Sequence, residues 1–268
     1  MKRVLSVQDL SCLGKCSLTV ALPTLSAMGC ECAVLPTTLL STHTAFPDPH
    51  IRSLTEDMDR IRQHWQSLHV RFDAISVGYL ADPHQTAAVK QVLNTFDTLS
   101  IIDPVMGDHG KLYSAITKAH VDAMKELCRL GTVLLPNVTE ATLLTGLPYQ
   151  ENGDEAYYLR LLEGMQTFGS RAVIITGTAP EPGKTGFSGW DREIGTFSYT
   201  AHRIGKHCHG TGDLFAAVFT GALTGGRTIP EAATLAARFV ERVIDATPAA
   251  TPFGVEFESQ LPWLWQQL

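Results

Sequence analysis

The sequence predicts an α/β fold in which a mostly parallel central sheet is covered by helices on both faces. Apolar stretches alternate with helical stretches almost throughout the 268 residues, which is typical of repeated βα units. The apolar stretches do not alternate with polar residues, so both faces of each strand are expected to be buried. Polar segments follow most of these strands, and ligands of such sheets bind beyond the carboxyl ends of the strands.

Each element is predicted from an apolar run or from helical spacing. The first strand is expected at 4–7, and a helix at 17–28 contains Pro23, which should kink or restart it. Residues 180–200 are rich in Gly and Thr with alternating aromatic residues, which indicates a hairpin or edge ribbon, and a polar tail ends the chain. Further strands are expected at 33–36, 72–78, 99–102, 133–135 and 172–175, and further helices at 54–68, 83–96, 115–130, 154–168, 210–223 and 229–246.

Composition narrows the classes of partner. With 44% hydrophobic residues, 18% charged residues, a net charge of −6 and no basic run, the chain is not expected to bind nucleic acid. No signal-peptide core and no run of membrane-spanning length is present, so a cytoplasmic location without membrane association is expected. The six cysteines lack CxxC spacing and are expected to be free thiols. Zinc binding by residues 207–209 is not expected, because neighbours on an extended segment face opposite sides.

The most informative stretch is residues 209–217, where Gly210, Thr211 and Gly212 lead into an apolar helix. A helix start carries unpaired N–H groups and partial positive charge, and glycine lets an anion approach closely. Asp213 adds a carboxylate in the same turn. This arrangement suits a base that takes a proton from a substrate hydroxyl while the N–H groups stabilise a phosphoryl group in flight. The alternative interpretation is a strand end, a helix cap and a carboxylate that favours the helix dipole.

Phosphoryl transfer also needs a divalent metal and carboxylates that hold it directly or through water. Asp103, Asp108 and Glu140 are the candidates, since they follow predicted strands. Alternatively, Asp103 shapes a turn before a proline and Glu140 is a favourable charge in the first turn of its helix.

Three motifs in order resemble the vitamin B6 kinases, the pyridoxal and pyridoxamine kinases of the ribokinase-like superfamily. They are Asp-Pro-Val-Met-Gly-Asp at 103–108, Pro-Asn-Val-Thr-Glu-Ala at 136–141 and Gly-Thr-Gly-Asp at 210–213. Ser-Thr-His-Thr at 41–44 also resembles the substrate loop of that family. The resemblance runs from residue 7 to about residue 222. It implies one ribokinase-like, three-layer α/β/α kinase domain over 1–268, with a small edge β-ribbon.

The resemblance implies an ATP-dependent kinase that phosphorylates the 5′-hydroxymethyl group of pyridoxal, pyridoxamine or pyridoxine. It further implies Mg²⁺ with ATP, frequent dependence on K⁺, and a homodimer. Asp213 would be the catalytic base, and Gly210, Thr211 and Gly212 would form the anion hole. The residues implied for ATP are Asp103, Asn137, Glu140, Thr176, Gly177, Gly210 and Gly212, those implied for the metal are Asp103 and Glu140, and those implied for the B6 pocket are His43, Thr44 and Asp213.

Asp9 departs from the family pattern, because many relatives carry serine directly after the glutamine of the first strand. A carboxylate there could pair with the pyridine nitrogen or the amine of the substrate and bias the enzyme toward pyridoxamine or pyridoxine. The alternative is that Asp9 only forms a turn.

Three other functions are compatible with parts of this sequence pattern. A hydroxymethylpyrimidine kinase of thiamine synthesis shares the fold and much of the motif set, but members of that group, and some B6 kinases allied to them, often carry cysteine where Asp213 stands. A sugar kinase of the same superfamily usually begins with a Gly-Gly segment, which residues 9–17 lack. A non-catalytic protein that binds an anionic metabolite would not need the carboxylate of Asp213.

Overall fold

The computed structural model describes residues 1–206, 208–249 and 251–268. They form two compact units. Unit 1 comprises Met1–Leu99 and Ile204–Leu268, and unit 2 comprises Ser100–Arg203. The prediction of an α/β fold with a mostly parallel sheet and an edge ribbon is confirmed by the strand pairings within these units.

Unit 1 contains a sheet with the strand order β4-β1-β2-β3. β1 pairs in parallel with β2 and β4, and the short outer strand β3 is antiparallel to β2. The strands of unit 1 are β1 (Lys2–Leu13), β2 (Cys30–Thr42), β3 (Ile51–Ser53) and β4 (Ala74–Val77). Its helices are α1 (Leu18–Ala27), α2 (Thr55–Ser67), α3 (Pro83–Phe96), α7 (Thr211–Thr224), α8 (Ile229–Ala246) and α9 (Leu261–Trp265).

Helices α1, α7 and α8 of unit 1 pack together, and α2 packs against α3. The contact between α1 and α7 is close, because a Cβ on Gly221 would lie 2.7 Å from the Cβ of Met28. The apolar face that the sequence predicted for α7 is therefore used for packing at short range.

Unit 2 contains the strand order β5-β8-β9-β10-β11. β8 is parallel to both β5 and β9, whereas β9, β10 and β11 form an antiparallel ribbon, as residues 180–200 predicted. The strands are β5 (Leu99–Ile102, which begins one residue before the unit), β6 (Gly107–Asp108), β7 (Lys111–Leu112), β8 (Val133–Leu134), β9 (Ala172–Thr178), β10 (Lys184–Asp191) and β11 (Gly195–His202). The helices are α4 (Lys118–Cys128), α5 (Val138–Thr145) and α6 (Glu155–Gln166).

Several predicted boundaries are wrong. β1 does not end at residue 7, because a shift in register between Gln8 and Leu10 lets the strand continue past Asp9. β2 is likewise longer than predicted and includes Thr42. Helix α1 runs through Pro23 without restarting, and the polar C-terminal tail contains α9, whose Leu264 is buried.

No helix within the described residues is long and apolar enough to cross a bilayer.

Candidate active site

The glycine-rich start of α7 has the conformation that the sequence predicted. Gly210 is the N-cap residue with φ 85°, and a Cβ at this position would collide with the backbone carbonyl of Lys15. Gly212 differs, because a Cβ there would meet no atom within 4 Å. The helix start is therefore anchored at Gly210 and open at Gly212, so an anion could approach the backbone N–H groups of the first turn.

Asp213 lies in the first turn of α7 and is partly buried. Burial raises the pKa of its carboxyl to about 6, and the nearby charge of Asp9 acts in the same direction. The backbone N–H of Ser17 donates a hydrogen bond to the carboxylate and opposes this rise in pKa. A carboxylate with a pKa near 6 is mostly ionised at neutral pH and is a stronger base than an exposed aspartate.

Asp9 is buried within β1 and accepts hydrogen bonds from the hydroxyls of Ser17 and, at 3.1 Å, Ser11. Burial raises the pKa of the Asp9 carboxyl, and these two hydrogen bonds lower it. Ser17 therefore contacts both carboxylates, through its hydroxyl to Asp9 and through its N–H to Asp213. The structure thus brings together two of the predicted site residues in unit 1.

Residues 14–17, which connect β1 to α1, were missed as site residues. Burial, Asp213 and Asp9 raise the pKa of the Cys16 thiol to about 12, in that order of importance, so the thiol is neutral at physiological pH. Ser17 has φ 50°, an uncommon conformation for a residue other than glycine. The Gly-Lys-Cys-Ser run at 14–17 does not match a Walker A phosphate-binding loop, because Cys16 stands where that motif has serine or threonine.

The two candidate residues of the predicted substrate loop at 41–44, His43 and Thr44, differ in their burial. His43 is buried, and its Nε2 lies 3.1 Å from the carbonyl oxygen of Pro252. Its ring is 4.9 Å from the ring of His209, directly before the anion-binding turn. Burial lowers the pKa of His43, and the bond to Pro252 opposes this effect. Thr44 is exposed. The histidine therefore links the loop to the start of α7, and its contact with a substrate stays a prediction.

In unit 2, Asn137 and Glu140 form a capping box at the start of α5. The Asn137 side chain accepts from the N–H of Glu140 at 2.9 Å and donates to the carbonyl of Gly107 at 2.8 Å. Buried Glu140 accepts from the N–H groups of Asn137 at 2.8 Å and Met106 at 3.0 Å. Burial raises the pKa of Glu140, and these N–H donors oppose the rise. Glu140 therefore fastens the 103–108 loop to α5.

The remaining predicted residues of unit 2 lie near this capping box or on the loop that it holds. Thr176 pairs with Asn137 through an isolated parallel bridge, and its N–H donates to the Pro136 carbonyl at 2.9 Å. Gly177 is exposed with φ 73°. Asp103 is partly buried, whereas Asp108 is exposed.

Within the described part of the chain, no group of three or more His, Cys, Asp or Glu side chains could hold a metal ion. A metal that Asp103 or Glu140 binds would need other ligands, and Mg²⁺ commonly combines one or two carboxylates with substrate phosphates and water. Asp103 and Glu140 of unit 2 provide the one or two carboxylates that this mode of binding needs. His207, part of the cluster for which zinc was not expected, lies outside the described residues.

Comparisons with known proteins agree with this chemistry. A sequence model of the phosphomethylpyrimidine kinase family matches residues 19–256. A pyridoxine/pyridoxal/pyridoxamine kinase of Bordetella avium is 30% identical over 268 residues, covering 92% of this chain and 86% of the relative.

Two solved structures are similar over nearly the whole chain. A Bacteroides thetaiotaomicron protein assigned as a phosphomethylpyrimidine kinase, determined with pyridoxal, is 35% identical with a TM-score of 0.93 and covers 98% of this chain and 95% of that one. Pyridoxal kinase from Lactobacillus plantarum is 30% identical with a TM-score of 0.91 and covers 100% and 98%.

The resemblance to the vitamin B6 kinases, inferred from the motifs, is confirmed by these matches. The family match spans most of the sequence, and relatives at 30% identity or more cover nearly all of it. The chain therefore belongs to the phosphomethylpyrimidine kinase family, within the ribokinase-like group that includes the vitamin B6 kinases, and it is a phosphotransferase.

Proposed function

We propose that this chain is an ATP-dependent kinase that phosphorylates the 5′-hydroxymethyl group of a vitamin B6 vitamer to give the 5′-phosphate and ADP. The observation that carries the proposal is the first turn of α7. There, Asp213, whose carboxyl pKa is raised to about 6, stands next to the open backbone at Gly212.

The mechanism that we propose begins at Asp213. Its carboxylate accepts the proton of the hydroxymethyl group while the hydroxyl oxygen forms a bond to the γ-phosphorus of ATP and the bond to the β–γ bridging oxygen breaks. The N–H groups of residues 210–212 stabilise the negative charge on the phosphoryl oxygens. The raised pKa of Asp213 favours this proton transfer, because the carboxylate remains ionised near pH 7 and holds a proton more strongly than an exposed aspartate.

Unit 2 supplies the residues that we propose for Mg-ATP. Asp103 would bind the metal directly or through water. Because Glu140 already accepts backbone N–H groups, we propose that it acts on the metal through water and holds Asn137 in place. The bound metal would neutralise phosphate charge. Thr176 and Gly177 would contact the nucleotide at the end of the parallel part of β9.

The test is a panel of pyridoxal, pyridoxamine, pyridoxine and hydroxymethylpyrimidine, assayed with Mg-ATP for release of ADP. We expect release that depends on a B6 vitamer and falls at least about a hundredfold in Asp213→Asn, because the base is lost while the shape is kept. Glu231→Gln is the matched control, since Glu231 also lies in the first turn of a helix, where it caps α8. Binding of a vitamer without turnover would contradict the proposal and favour the non-catalytic alternative.

The same panel decides between the proposal and a hydroxymethylpyrimidine kinase. The family match supports this alternative, because the matching family is named after the phosphomethylpyrimidine kinases. The presence of Asp213, where many hydroxymethylpyrimidine kinases carry cysteine, favours the B6 vitamers. Turnover of hydroxymethylpyrimidine with a higher kcat/KM than every B6 vitamer would replace the proposal with the alternative.

We also propose that Asp9 contacts the substrate and selects among the vitamers. Its carboxylate is buried beside Ser17, so a positively charged group brought next to it would be strongly attracted. Asp9→Ser should reduce the preference for pyridoxamine or pyridoxine over pyridoxal by about tenfold, since one charge-assisted hydrogen bond is lost. The measurement is kcat/KM for the three vitamers in both proteins, and an unchanged ratio would contradict this role.

A homodimer and a cytoplasmic location, both expected from the sequence, remain proposals. Analytical ultracentrifugation of the purified chain at several concentrations would test the homodimer.

A further inference from the structure

The ammonium group of Lys206 lies in a cluster of backbone carbonyls at the end of α8. Its Nζ donates hydrogen bonds to the carbonyl oxygens of Ile244 at 3.1 Å, Asp245 at 2.7 Å and Thr247 at 2.8 Å. A lysine ammonium has three N–H donors, so these bonds account for all of them. The last carbonyls of a helix lack partners within the helix and carry partial negative charge. We call this arrangement the carbonyl cluster.

The carbonyl cluster has the chemistry of a monovalent cation site. Proteins bind dehydrated K⁺ with backbone carbonyl oxygens that replace the water around the ion. The ammonium of lysine is a compact point charge, unlike the planar guanidinium of arginine, so it can occupy the place of such an ion. Here Lys206 uses the three carbonyl oxygens, and a potassium ion therefore does not fit the cluster while the ammonium is in place.

The carbonyl cluster is connected to the anion-binding turn by two routes within unit 1. Along the chain, Lys206 stands shortly before His209 and Gly210. On the other side, the Thr247 hydroxyl accepts from the N–H of Glu256 at 3.0 Å, and the neighbouring N–H of Val255 donates to the carbonyl of His209 at 3.1 Å. The carbonyl cluster is therefore linked to the start of α7 by hydrogen bonds through Thr247 and His209.

We propose that Lys206 supplies, as part of the chain, the monovalent cation that the vitamin B6 kinase resemblance implies, so that phosphoryl transfer by this protein needs no potassium. The proposal rests on the kinase activity proposed above. It goes beyond helix capping, in which the lysine would only satisfy the carbonyls at the end of α8. The two roles differ in one respect: a cation site emptied by mutation is refilled by a free ion of similar size, whereas a lost cap is not.

The test compares chloride salts of K⁺, NH₄⁺, Li⁺ and choline at equal ionic strength. The wild-type protein should phosphorylate its B6 vitamer at rates that agree within about twofold in all four salts, because its cation is covalently attached. Lys206→Met should lose about tenfold or more of kcat in choline chloride, since three charge-assisted hydrogen bonds are removed. Potassium or ammonium should restore most of this loss, and lithium should not. Lys90→Met, on α3 of the same unit, is the matched control and should respond as the wild type does.

Thermal unfolding without substrate gives a second, independent measurement. Lys206→Met should melt about 5 °C below the wild type in choline chloride and recover in potassium chloride. A variant that folds only when K⁺ or NH₄⁺ is present would also support the proposal, and Lys206→Ala repeats the test with more room in the cluster. A wild-type enzyme that requires K⁺ would overturn it, as would variants whose activity and melting do not respond to any of these ions. If no vitamer is phosphorylated in any salt, the proposed function fails, and the melting experiment still decides the cation site.

Discussion

Ser17 connects the two carboxylates of the candidate site in unit 1. Its hydroxyl donates to Asp9 and its backbone N–H to Asp213, and its backbone has the uncommon φ of 50°. Two carboxylates at one place repel each other, and the charge of Asp9 raises the pKa of Asp213. The hydrogen bonds from Ser17 offset part of this repulsion. The proton affinity of Asp213 therefore depends on Asp9 as well as on its own burial.

This dependence predicts the pH profile of the enzyme. The proposed base must be ionised, so kcat/KM should fall as the pH drops through about 6, the pKa of Asp213. Asp9→Asn removes a negative charge that disfavours the ionised form of Asp213. The pKa of Asp213 should therefore fall, and the acid limb of the profile should move to lower pH. The measurement is kcat/KM from about pH 5 to pH 8 with whichever vitamer both proteins accept.

Asp73→Asn is the control for this profile, because Asp73 is an acid of the same unit that pairs with Lys2 instead. The acid limb of the kcat/KM profile of Asp73→Asn should match that of the wild type. An acid limb that stays in place in Asp9→Asn would show that the two carboxylates do not interact during turnover.

Asp9 and Asp213 could be selected from the sequence because an acid is conspicuous beside a strand end or a glycine-rich turn. Ser17 and Cys16 could not. Their importance arises from a left-handed backbone and from contact with α7, which is remote in the chain. For His43 the residue was found, but its bond to Pro252 depends on a C-terminal loop that has no local signal in the sequence.

At the scale of elements, the start of α7 contains two glycines with different tasks. Gly210 has a left-handed conformation and its Cα faces the Lys15 carbonyl, whereas Gly212 borders open space. Gly210→Ala should therefore lower the free energy of unfolding by about 2 kcal/mol or more through backbone strain and displacement of Lys15. Gly212→Ala should keep or slightly raise stability, since alanine favours helix over glycine by about 1 kcal/mol.

Gly212→Ala should impair activity without lowering stability. If the first turn receives phosphate, the added methyl group occupies the space that the phosphate needs, so KM for ATP should rise by about tenfold or more despite an intact fold. Urea unfolding and initial-rate kinetics on both variants measure these effects. A Gly212→Ala enzyme with unchanged kinetics would argue against phosphate binding at this turn.

Most elements were predictable because their signals are local. The bounds of α3 and α8 match the predicted residues. Asp82 and Pro83 mark the start of α3, and Thr228 and Glu231 mark the start of α8. The extent of β1 was not predictable, because its register shift at Gln8 and Leu10 arises from pairing with β2. That shift is also why Asp9 lies within a strand and not in the turn that follows one.

At the scale of the whole molecule, the chain forms two compact units, yet the boundary between them falls inside a strand. β5 spans Leu99–Ile102, and unit 2 begins at Ser100. Domain boundaries usually lie in exposed, flexible linkers with few contacts. Unit 1 also needs two segments that are separated in sequence by the whole of unit 2. Both features favour the prediction of a single domain over 1–268.

A single domain should unfold in one cooperative transition. The four tryptophans allow the units to be followed separately, because Trp190 lies in unit 2 and Trp65, Trp263 and Trp265 lie in unit 1. One variant keeps only Trp190, and a second keeps only Trp65, with phenylalanine at the other positions. We expect the urea midpoint from each fluorescence signal to equal the midpoint from far-UV circular dichroism of the same variant. A unit that can unfold alone would melt at its own urea concentration. In that case the Trp190 midpoint would differ from that of circular dichroism, and the two units would be separate domains that share only a continuous strand.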